Sequence, residues 1–127
     1  MIVIDTSALM AILLREPEAE RCSAIIQREE RLLMSATTLA EALIVSARLS
    51  IDDEMNTLIE ALAIEIVPVT AAAERRIAGL YRRWGKGSHP AGLNFGDCFA
   101  YHLAKEQDCP LLFVGRDFRQ TDLRTLD

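Results

Sequence analysis

Apolar residues along the chain fall into short continuous runs that alternate with longer amphipathic stretches. A short apolar run rich in β-branched residues is typical of a buried strand, and apolar positions three and four residues apart are typical of a helix. The pattern predicts strands at Met1–Ile4, Leu32–Ser35, Ile64–Val69 and Leu111–Val114. It predicts helices at Ser7–Leu14, Pro17–Glu30, Thr38–Leu49, Asp52–Ala63, Thr70–Gly85 and Asn94–Gln107. Pro17 suits a first helical turn, and Asp52 is expected to cap its helix.

Strands that alternate with helices in this way predict βαβ units and a parallel sheet. Pairs of helices between some strands favour an α/β fold with three layers, an α/β/α sandwich. Its central sheet is expected to be mainly parallel, with four to five strands, the fifth a weak edge strand after Asp117. The length suits one hydrophobic core, so residues 1–127 are expected to form a single domain.

Composition and charge exclude several classes of protein. Hydrophobic residues make up 50% of the chain and charged residues 26%, which is a globular composition. The net charge of -5 argues against broad, non-specific nucleic-acid binding, although it leaves room for a local basic patch.

The cysteines and the apolar runs bear on the compartment. The cysteine count is odd and no CxxC pair occurs, so a disulfide scaffold or zinc cluster is not expected. Cys22 and Cys98 lie among apolar residues and are predicted to be reduced core thiols, which suits a cytoplasmic protein. The run Ala8–Leu14 is far shorter than the ~20 residues of a membrane span.

Four acidic residues follow or precede the predicted strands at one edge of the sheet. Asp5 follows the first strand, and Glu41 is placed in the first turn of the helix after the second. Asp97 is placed in the first turn of the helix before the fourth strand, and Asp117 follows that strand. All four are expected at the carboxyl ends of the strands, where ligands bind in open α/β sheets.

Clustered carboxylates need a counter-charge. At ~4 Å and an effective dielectric of ~20, one pair repels by about 4 kcal/mol, so a cluster implies a bound cation or a protonated member. Mg²⁺ and Mn²⁺ are hard cations that prefer carboxylate and water oxygens. Such an ion can activate water and stabilise charge on a phosphate.

Each acid also has a purely structural interpretation. Glu41 completes a capping-box pattern with Thr38, and Asp97 stands at a third helical position, which the helix dipole favours. Asp5 is a candidate cap for the first helix, and Asp117 is a candidate turn residue.

The acids lie in four short motifs whose order matches a known family. The motifs are Ile-Asp5-Thr-Ser-Ala, Thr38-Leu-Ala-Glu41-Ala, Leu93-Asn-Phe-Gly-Asp97-Cys-Phe-Ala-Tyr and Pro110-Leu-Leu-Phe-Val-Gly-Arg-Asp117-Phe. In this order and at these spacings the chain resembles the PIN-domain ribonucleases and, among them, the VapC toxins of type II toxin–antitoxin modules. Arg116 departs from the small polar or acidic residue that often precedes the fourth acid. That departure leaves open whether Asp117 or Asp122 is the fourth acid.

The resemblance implies a metal-dependent endoribonuclease that hydrolyses RNA phosphodiester bonds. It implies that Asp5, Glu41 and Asp97 hold the principal Mg²⁺ or Mn²⁺ ion, and that Asp117 holds a second ion or orients water. Ser7 is then expected to hydrogen-bond to Asp5 or to a phosphate. The resemblance also implies a homodimer, and a cognate antitoxin whose C-terminal segment crosses the active-site groove.

A basic helix face is the candidate surface for RNA. Arginines of the helix at Thr70–Gly85 recur at a spacing of seven, which places them on one side: Arg75, Arg76, Arg82 and Arg83, followed by Lys86. Arg82 and Arg83 are the candidate substrate-binding residues, while a plain solvated face or an antitoxin-binding surface remains the alternative. His89 is interpreted as a loop residue and His102 as a partly buried or interface histidine.

Three other functions compete with this interpretation. A signalling receiver domain has a similar length and topology and binds magnesium, but no acceptor Asp follows the third strand and no Lys follows the last. A non-catalytic PIN-like module would bind RNA or protein without cleavage. A structure-specific DNA nuclease would use the same acids, which do not themselves distinguish the two polymers.

Overall fold

The computed structural model describes residues 1–124 and 126. Four parallel strands form a sheet in the order β3-β2-β1-β4. The strands are β1 (Ile2–Ile4), β2 (Leu32–Ser35), β3 (Glu65–Val67) and β4 (Leu111–Leu112). The helices are α1 (Thr6–Leu13), α2 (Ala19–Arg28), α3 (Ala36–Arg48), α4 (Asp52–Ala61), α5 (Ala71–Trp84) and α6 (Phe95–Glu106), and a 3₁₀ helix covers Asp117–Gln120.

Two apolar cores lie on opposite faces of the sheet. Successive side chains of a strand point to opposite faces, so Ile2 and Ile4 enter one core and Val3 enters the other. Helices α1 to α4 cover the first core, and α5 and α6 cover the second. Burial on both faces explains why β1 is apolar throughout. The predicted three-layer α/β/α sandwich is therefore confirmed.

Helices α5 and α6 lie antiparallel to each other. Arg76, in the first half of α5, contacts His102 and Glu106 in the second half of α6. The ring of Trp84, at the end of α5, lies 6.3 Å from that of Tyr101. The predicted loop between the two helices is present, and an isolated bridge between Gly85 and Leu93 closes it. The C-terminal end of α5 therefore lies toward the N-terminal end of α6.

Two predicted helix starts are wrong in detail. Asp52 is the first residue of α4 and makes no capping bond, because Ile51 occupies the cap position. Helix α2 begins at Ala19, after a turn that contains Pro17, so the proline precedes the first helical turn.

The predicted weak edge strand after Asp117 is also wrong for the described residues. Asp117–Gln120 form a 3₁₀ helix, and residues 121–124 are turn or irregular. Phe118 packs its ring 5.1 Å from that of Phe113, and Tyr101 and Lys105 both bond to Asp122. The bonds from Tyr101 and Lys105 hold Asp122 against α6, and residues 117–124 form no strand.

The thiol prediction is confirmed, because Cys22, Cys98 and Cys109 are all buried and unpaired. Within residues 1–124 and 126, no helix is long and apolar enough to span a bilayer.

Candidate active site

The four candidate acids all lie toward the carboxyl edge of the parallel sheet. Asp5 directly follows β1, and Glu41 is on α3, which follows β2. Asp97 is the third residue of α6, and Asp117 begins the 3₁₀ helix after β4. Asp5 and Asp97 are buried, with 5% and 9% of their surfaces exposed. Asp117 is exposed.

Asp5 is the N-cap of α1, as its structural interpretation expected. Its Oδ2 accepts hydrogen bonds from the Ser7 backbone N–H at 3.1 Å and from the Ser7 hydroxyl at 2.6 Å. Its Oδ1 is buried and has no hydrogen-bond partner. Burial raises the pKa of the Asp5 carboxyl to about 6, although the two bonds from Ser7 act in the opposite direction. The cap thus uses one oxygen and leaves the other available to a ligand.

Ser7 joins two strand ends at this edge. Besides donating to Asp5, its hydroxyl oxygen accepts the Val114 N–H at 3.0 Å, just after β4. The expected bond between Ser7 and Asp5 is therefore present. Ser7 holds Asp5 at a fixed distance from the segment that leads to Asp117.

Glu41 is held by a residue far away in the sequence. The Thr6 hydroxyl donates to Glu41 Oε1 at 2.8 Å. The capping box between Thr38 and Glu41 is not formed, because α3 begins at Ala36 with Ser35 as its N-cap. Glu41 therefore lies in the second turn of α3 and not in the first, and its carboxylate does not cap its own helix.

Gly96 makes room for the Glu41 carboxylate. A Cβ atom added at Gly96 would lie 2.2 Å from Glu41 Oε2, which is closer than real contacts allow. The first turn of α6 thus meets the Glu41 carboxylate directly. This close approach brings Glu41 beside the residue that precedes Asp97.

Asp97 combines a structural role with an unusual electrostatic environment. It completes a capping box, in which Asp97 Oδ2 accepts from the Asn94 N–H at 3.0 Å and Asn94 Oδ1 accepts from the Asp97 N–H at 2.8 Å. Burial raises the pKa of Asp97 to about 7, and repulsion from Asp5, Asp117 and Glu41 adds to the rise. Asp5, Glu41 and Asp117 therefore all lie near enough to Asp97 to disfavour its charged form.

Asp117 and Asp122 have different surroundings. Asp117 contributes to the repulsion at Asp97. Asp122 instead accepts hydrogen bonds from the Tyr101 hydroxyl and from Lys105 Nζ. Burial acts to raise the pKa of Asp122, but these bonds leave it below its usual value. Asp122 therefore ties the tail to α6, and Asp117 is the better candidate for the fourth acid.

The donor set suits a hard divalent cation, but the ligands are not pre-arranged. Among the residues that the structure describes, no three His, Cys, Asp or Glu side chains are already placed to hold one metal ion. Asp5, Glu41 and Asp97 each engage one oxygen with a neighbour, respectively Ser7, Thr6 and Asn94. The terminal torsions of carboxylates are broad, so their remaining oxygens are free to change direction on ion binding. The unpartnered Asp5 Oδ1 is the clearest vacant ligand position.

Arg82 and Arg83, the two candidate substrate-binding residues, lie toward the same end of the α5–α6 pair as Asp97. Arg82 and Arg83 are both exposed in the last turn of α5. The Arg83 guanidinium lies over the Trp84 ring, 4.7 Å from its centroid.

The two histidines match their expected roles. His89 accepts the Ala91 N–H within the loop, and its ring lies edge-on to Trp84. His102 is partly buried and contacts Arg76 and Glu106.

Two features of this site were not expected from the sequence. No local spacing connects Thr6 with Glu41, which are 35 residues apart, so sequence reasoning had no signal for this bond. Gly96 did carry a signal, because a glycine inside a helical pattern often marks close packing.

A fold and a site of this kind define a class of nuclease-like domains with an acidic sheet edge. The model of the PIN domain family matches residues 2–123, and the chain belongs to that family. Within the family its relatives are VapC ribonucleases. Ribonuclease VapC30 of Mycobacterium tuberculosis is 44% identical over 127 residues, which cover 98% of this chain and 97% of the relative. The receiver-domain alternative is therefore wrong.

Solved structures share the fold at low sequence identity. VapC20 of Mycobacterium tuberculosis, described as a toxin that cleaves the sarcin-ricin loop, matches with a TM-score of 0.81 at 14% identity. The match covers 98% of this chain and 97% of VapC20. A toxin–antitoxin complex from Klebsiella pneumoniae matches with a TM-score of 0.73 at 16% identity, over 100% of this chain and 97% of that one. These likenesses support the fold alone.

Proposed function

We propose that the chain is a metal-dependent endoribonuclease and the toxin of a toxin–antitoxin pair, with residues 1–127 forming a single PIN-like nuclease domain. The observation that carries the proposal is the position of Asp5, Glu41, Asp97 and Asp117 toward the carboxyl edge of the parallel sheet, with the first turn of α6 directly against the Glu41 carboxylate. Membership of a family whose curated relatives are named VapC ribonucleases supports it. A non-catalytic PIN-like module would have no need for carboxylates whose mutual repulsion is unfavourable.

The proposed cofactor is Mg²⁺ or Mn²⁺, held by Asp5, Glu41 and Asp97 with help from Asp117. When bound, such an ion activates water and neutralises charge on the phosphate. The vacant, buried Oδ1 of Asp5 and an all-oxygen donor set fit a hard cation.

The neighbouring residues have positioning roles in this proposal. Ser7 fixes the Asp5 carboxylate through Oδ2, so that Oδ1 faces away from the helix cap. Thr6 fixes Glu41 through Oε1. The raised pKa of Asp97 means that, without a cation, this carboxyl is partly protonated near neutral pH. Cation binding and loss of that proton are therefore expected to be coupled.

RNA is the proposed substrate, with Arg82 and Arg83 as phosphate contacts. Both side chains are exposed on α5, near the end of α6 that carries Asp97. Because the whole chain is acidic, local cations of this kind are needed to hold a polyanion.

The proposed protein partners are an antitoxin and a second copy of the chain. The first is consistent with the fold that this chain shares with the toxin–antitoxin complex from Klebsiella pneumoniae and with its VapC relatives. For the second, Ile44 and Phe95 are 56% and 67% exposed and flank Glu41 and Gly96. A contiguous exposed apolar patch marks a protein contact, and α3 and α6, which carry these two residues, pack against each other. Ile44→Glu is expected to shift a homodimer toward monomer in light scattering, while an unchanged mass would exclude Ile44 from the interface.

The central experiment is RNA cleavage by purified protein with Mg²⁺ or Mn²⁺ and with a chelator. We expect cleavage that requires the ion and that is lost in Asp97→Asn, which should still fold. Asp53→Asn, an exposed acid on α4, is the matched control and should retain full activity. A parallel DNA substrate distinguishes the DNA-nuclease alternative. Chelator-resistant cleavage, or an active Asp97→Asn, would contradict the proposal.

A further inference from the structure

A groove of about 460 Å³ runs between α5 and α6, outside the cluster of acids. Leu80 and Tyr101 are among its lining residues. Its cationic lining consists of Arg76 and Arg83 from α5 and Lys105 from α6. None of the four candidate acids lines it.

The cations of the groove are available to an incoming anion. Arg76 pairs with Glu106 at 3.4 Å and Lys105 pairs with Asp122 at 3.2 Å, and both basic side chains are about half exposed, at 58% and 47%. Ion pairs this exposed contribute little, so an incoming phosphate competes with them at small cost. The Arg83 guanidinium contacts the Trp84 ring and keeps its charge available. The groove thus carries more positive than negative groups in a chain of net charge -5.

The groove and the candidate active site share helix α6, which carries Asp97 in its first turn and Tyr101 and Lys105 further along. Asp97, Tyr101 and Lys105 are spaced four residues apart, so they follow one side of the helix. At 1.5 Å per residue, Lys105 lies about 12 Å along the axis from Asp97. That distance corresponds to about three nucleotides of a stacked strand at ~3.4 Å each.

We propose that the groove between α5 and α6 is a subsite for the single-stranded RNA that flanks the cleaved bond, with Arg83 and Lys105 contacting its phosphates. This inference rests on the proposed ribonuclease function and specifies where the substrate strand leaves the acidic site. It adds Lys105, which is on α6, to the basic residues of α5. The strand would cross the edge near Asp97 and follow α6 for about three nucleotides.

An acidic peptide is the other anion that such a groove accommodates. RNA is favoured because the groove borders α6, the helix that carries Asp97, and because its three cations outnumber the carboxylates of Glu106 and Asp122. The two apolar residues that line the groove are themselves largely covered, since Tyr101 is 2% exposed and Leu80 is partly buried. Protein docking surfaces usually have an apolar centre.

The test measures RNA binding in the Asp97→Asn background, which prevents cleavage during titration. The probes are labelled oligouridylates of about four and about ten nucleotides, with hexaglutamate as the acidic peptide. Arg83→Gln/Lys105→Gln is compared with Arg15→Gln/Arg48→Gln, which removes two exposed positive charges outside the groove and outside the basic face of α5.

We expect the groove variant to bind the longer RNA about tenfold or more weakly at low salt, and the control variant to bind nearly normally. Two lost phosphate contacts should reduce the slope of log affinity against log salt by about 1.4 for a single strand. Thermal melting checks that both variants fold. If the double variant is unstable, RNA binding is measured on Arg83→Gln alone, because this variant leaves the pair of Lys105 with Asp122 intact.

Equal losses in the two double variants, or no loss in either, would overturn the inference. Loss of hexaglutamate binding with unchanged RNA binding would also overturn it and would mark the groove as a protein-docking surface. Cleavage of RNA with Mn²⁺ is measured separately on the chain that carries none of these substitutions. If that chain cleaves RNA while the groove variant keeps full RNA affinity, the groove inference fails and the proposed function stands. If it does not cleave, the proposed function fails, and the binding measurements still decide whether the groove holds RNA.

Discussion

The substitution Gly96→Ala is expected to disturb the acidic site and to leave the fold intact. The change adds one methyl group where α6 meets the Glu41 side chain. That Cβ would lie 2.2 Å from Glu41 Oε2 and 2.9 Å from Cδ, whereas real Cβ contacts essentially never fall below 3.0 Å. The carboxylate must therefore move by about 1 Å or turn away from α6, a displacement large enough to disturb catalytic geometry.

The fold itself should tolerate this movement. The displaced atoms are the far end of a flexible side chain, and the backbone of Gly96 is helical. Alanine is favoured over glycine within a helix by up to about 1 kcal/mol, which offsets the lost bond from Thr6 to Glu41. We expect the free energy of unfolding to change by less than about 1 kcal/mol, because these two effects oppose each other. A misplacement of about 1 Å in the site lowers the rate of cleavage on the order of a hundredfold.

The assay pairs a cleavage rate with a denaturant melt. Gly79→Ala on α5 is the matched control, because its added Cβ would meet no atom within 4 Å. We expect the control to cleave at the normal rate and to be slightly stabilised. A Gly96→Ala protein that cleaves RNA as fast as the unmodified chain would refute the reasoning that Glu41 must occupy this space.

Further predictions concern charge and the tail. The folded-state pKa of Asp97 is raised to about 7, so between about pH 4 and 7 the folded chain holds a proton that the unfolded chain has lost. In the presence of a chelator, the free energy of unfolding should therefore fall as pH rises through that window. Asp97→Asn should flatten this fall and raise the free energy of unfolding at pH 8 by roughly 2 kcal/mol, as measured by denaturant melts. Asp122→Asn should lower the free energy of unfolding by about 1 kcal/mol and leave cleavage unchanged, because it weakens the bonds to Tyr101 and Lys105. Asp117→Asn should instead lower the cleavage rate and leave the free energy of unfolding unchanged. Neutralising Arg82 and Arg83 should weaken RNA binding and flatten its salt dependence, and unchanged binding would leave this end of α5 as ordinary solvated surface.

The fold could be predicted from hydrophobic pattern because strands buried on both faces leave a clear signal. Ile2–Ile4 and Leu32–Ser35 are buried throughout, so their apolar runs coincide with the observed strands. The segment after Asp117 was mispredicted because its course depends on contacts from Phe113, Tyr101 and Lys105. Those contacts are tertiary and leave no local period in the sequence.

The candidate acids could be placed at one sheet edge from topology alone. The sequence did not predict which carboxylate oxygens of these acids are free to bind a cation. The Thr38 pattern favoured a capping box that α3 does not form, since the helix starts two residues earlier. In contrast, Asp5 does cap α1 and Asp97 does stand at the third position of α6, so the structural interpretation and the site interpretation hold together at these positions.

The most direct measurement is an anomalous difference map from crystals soaked in Mn²⁺. We expect a peak about 2 Å from carboxylate oxygens that include Asp5 Oδ1, with Glu41 and Asp97 turned toward the same ion. Active protein whose crystals show no manganese near these side chains would contradict the claim that the four acids act through a shared divalent ion.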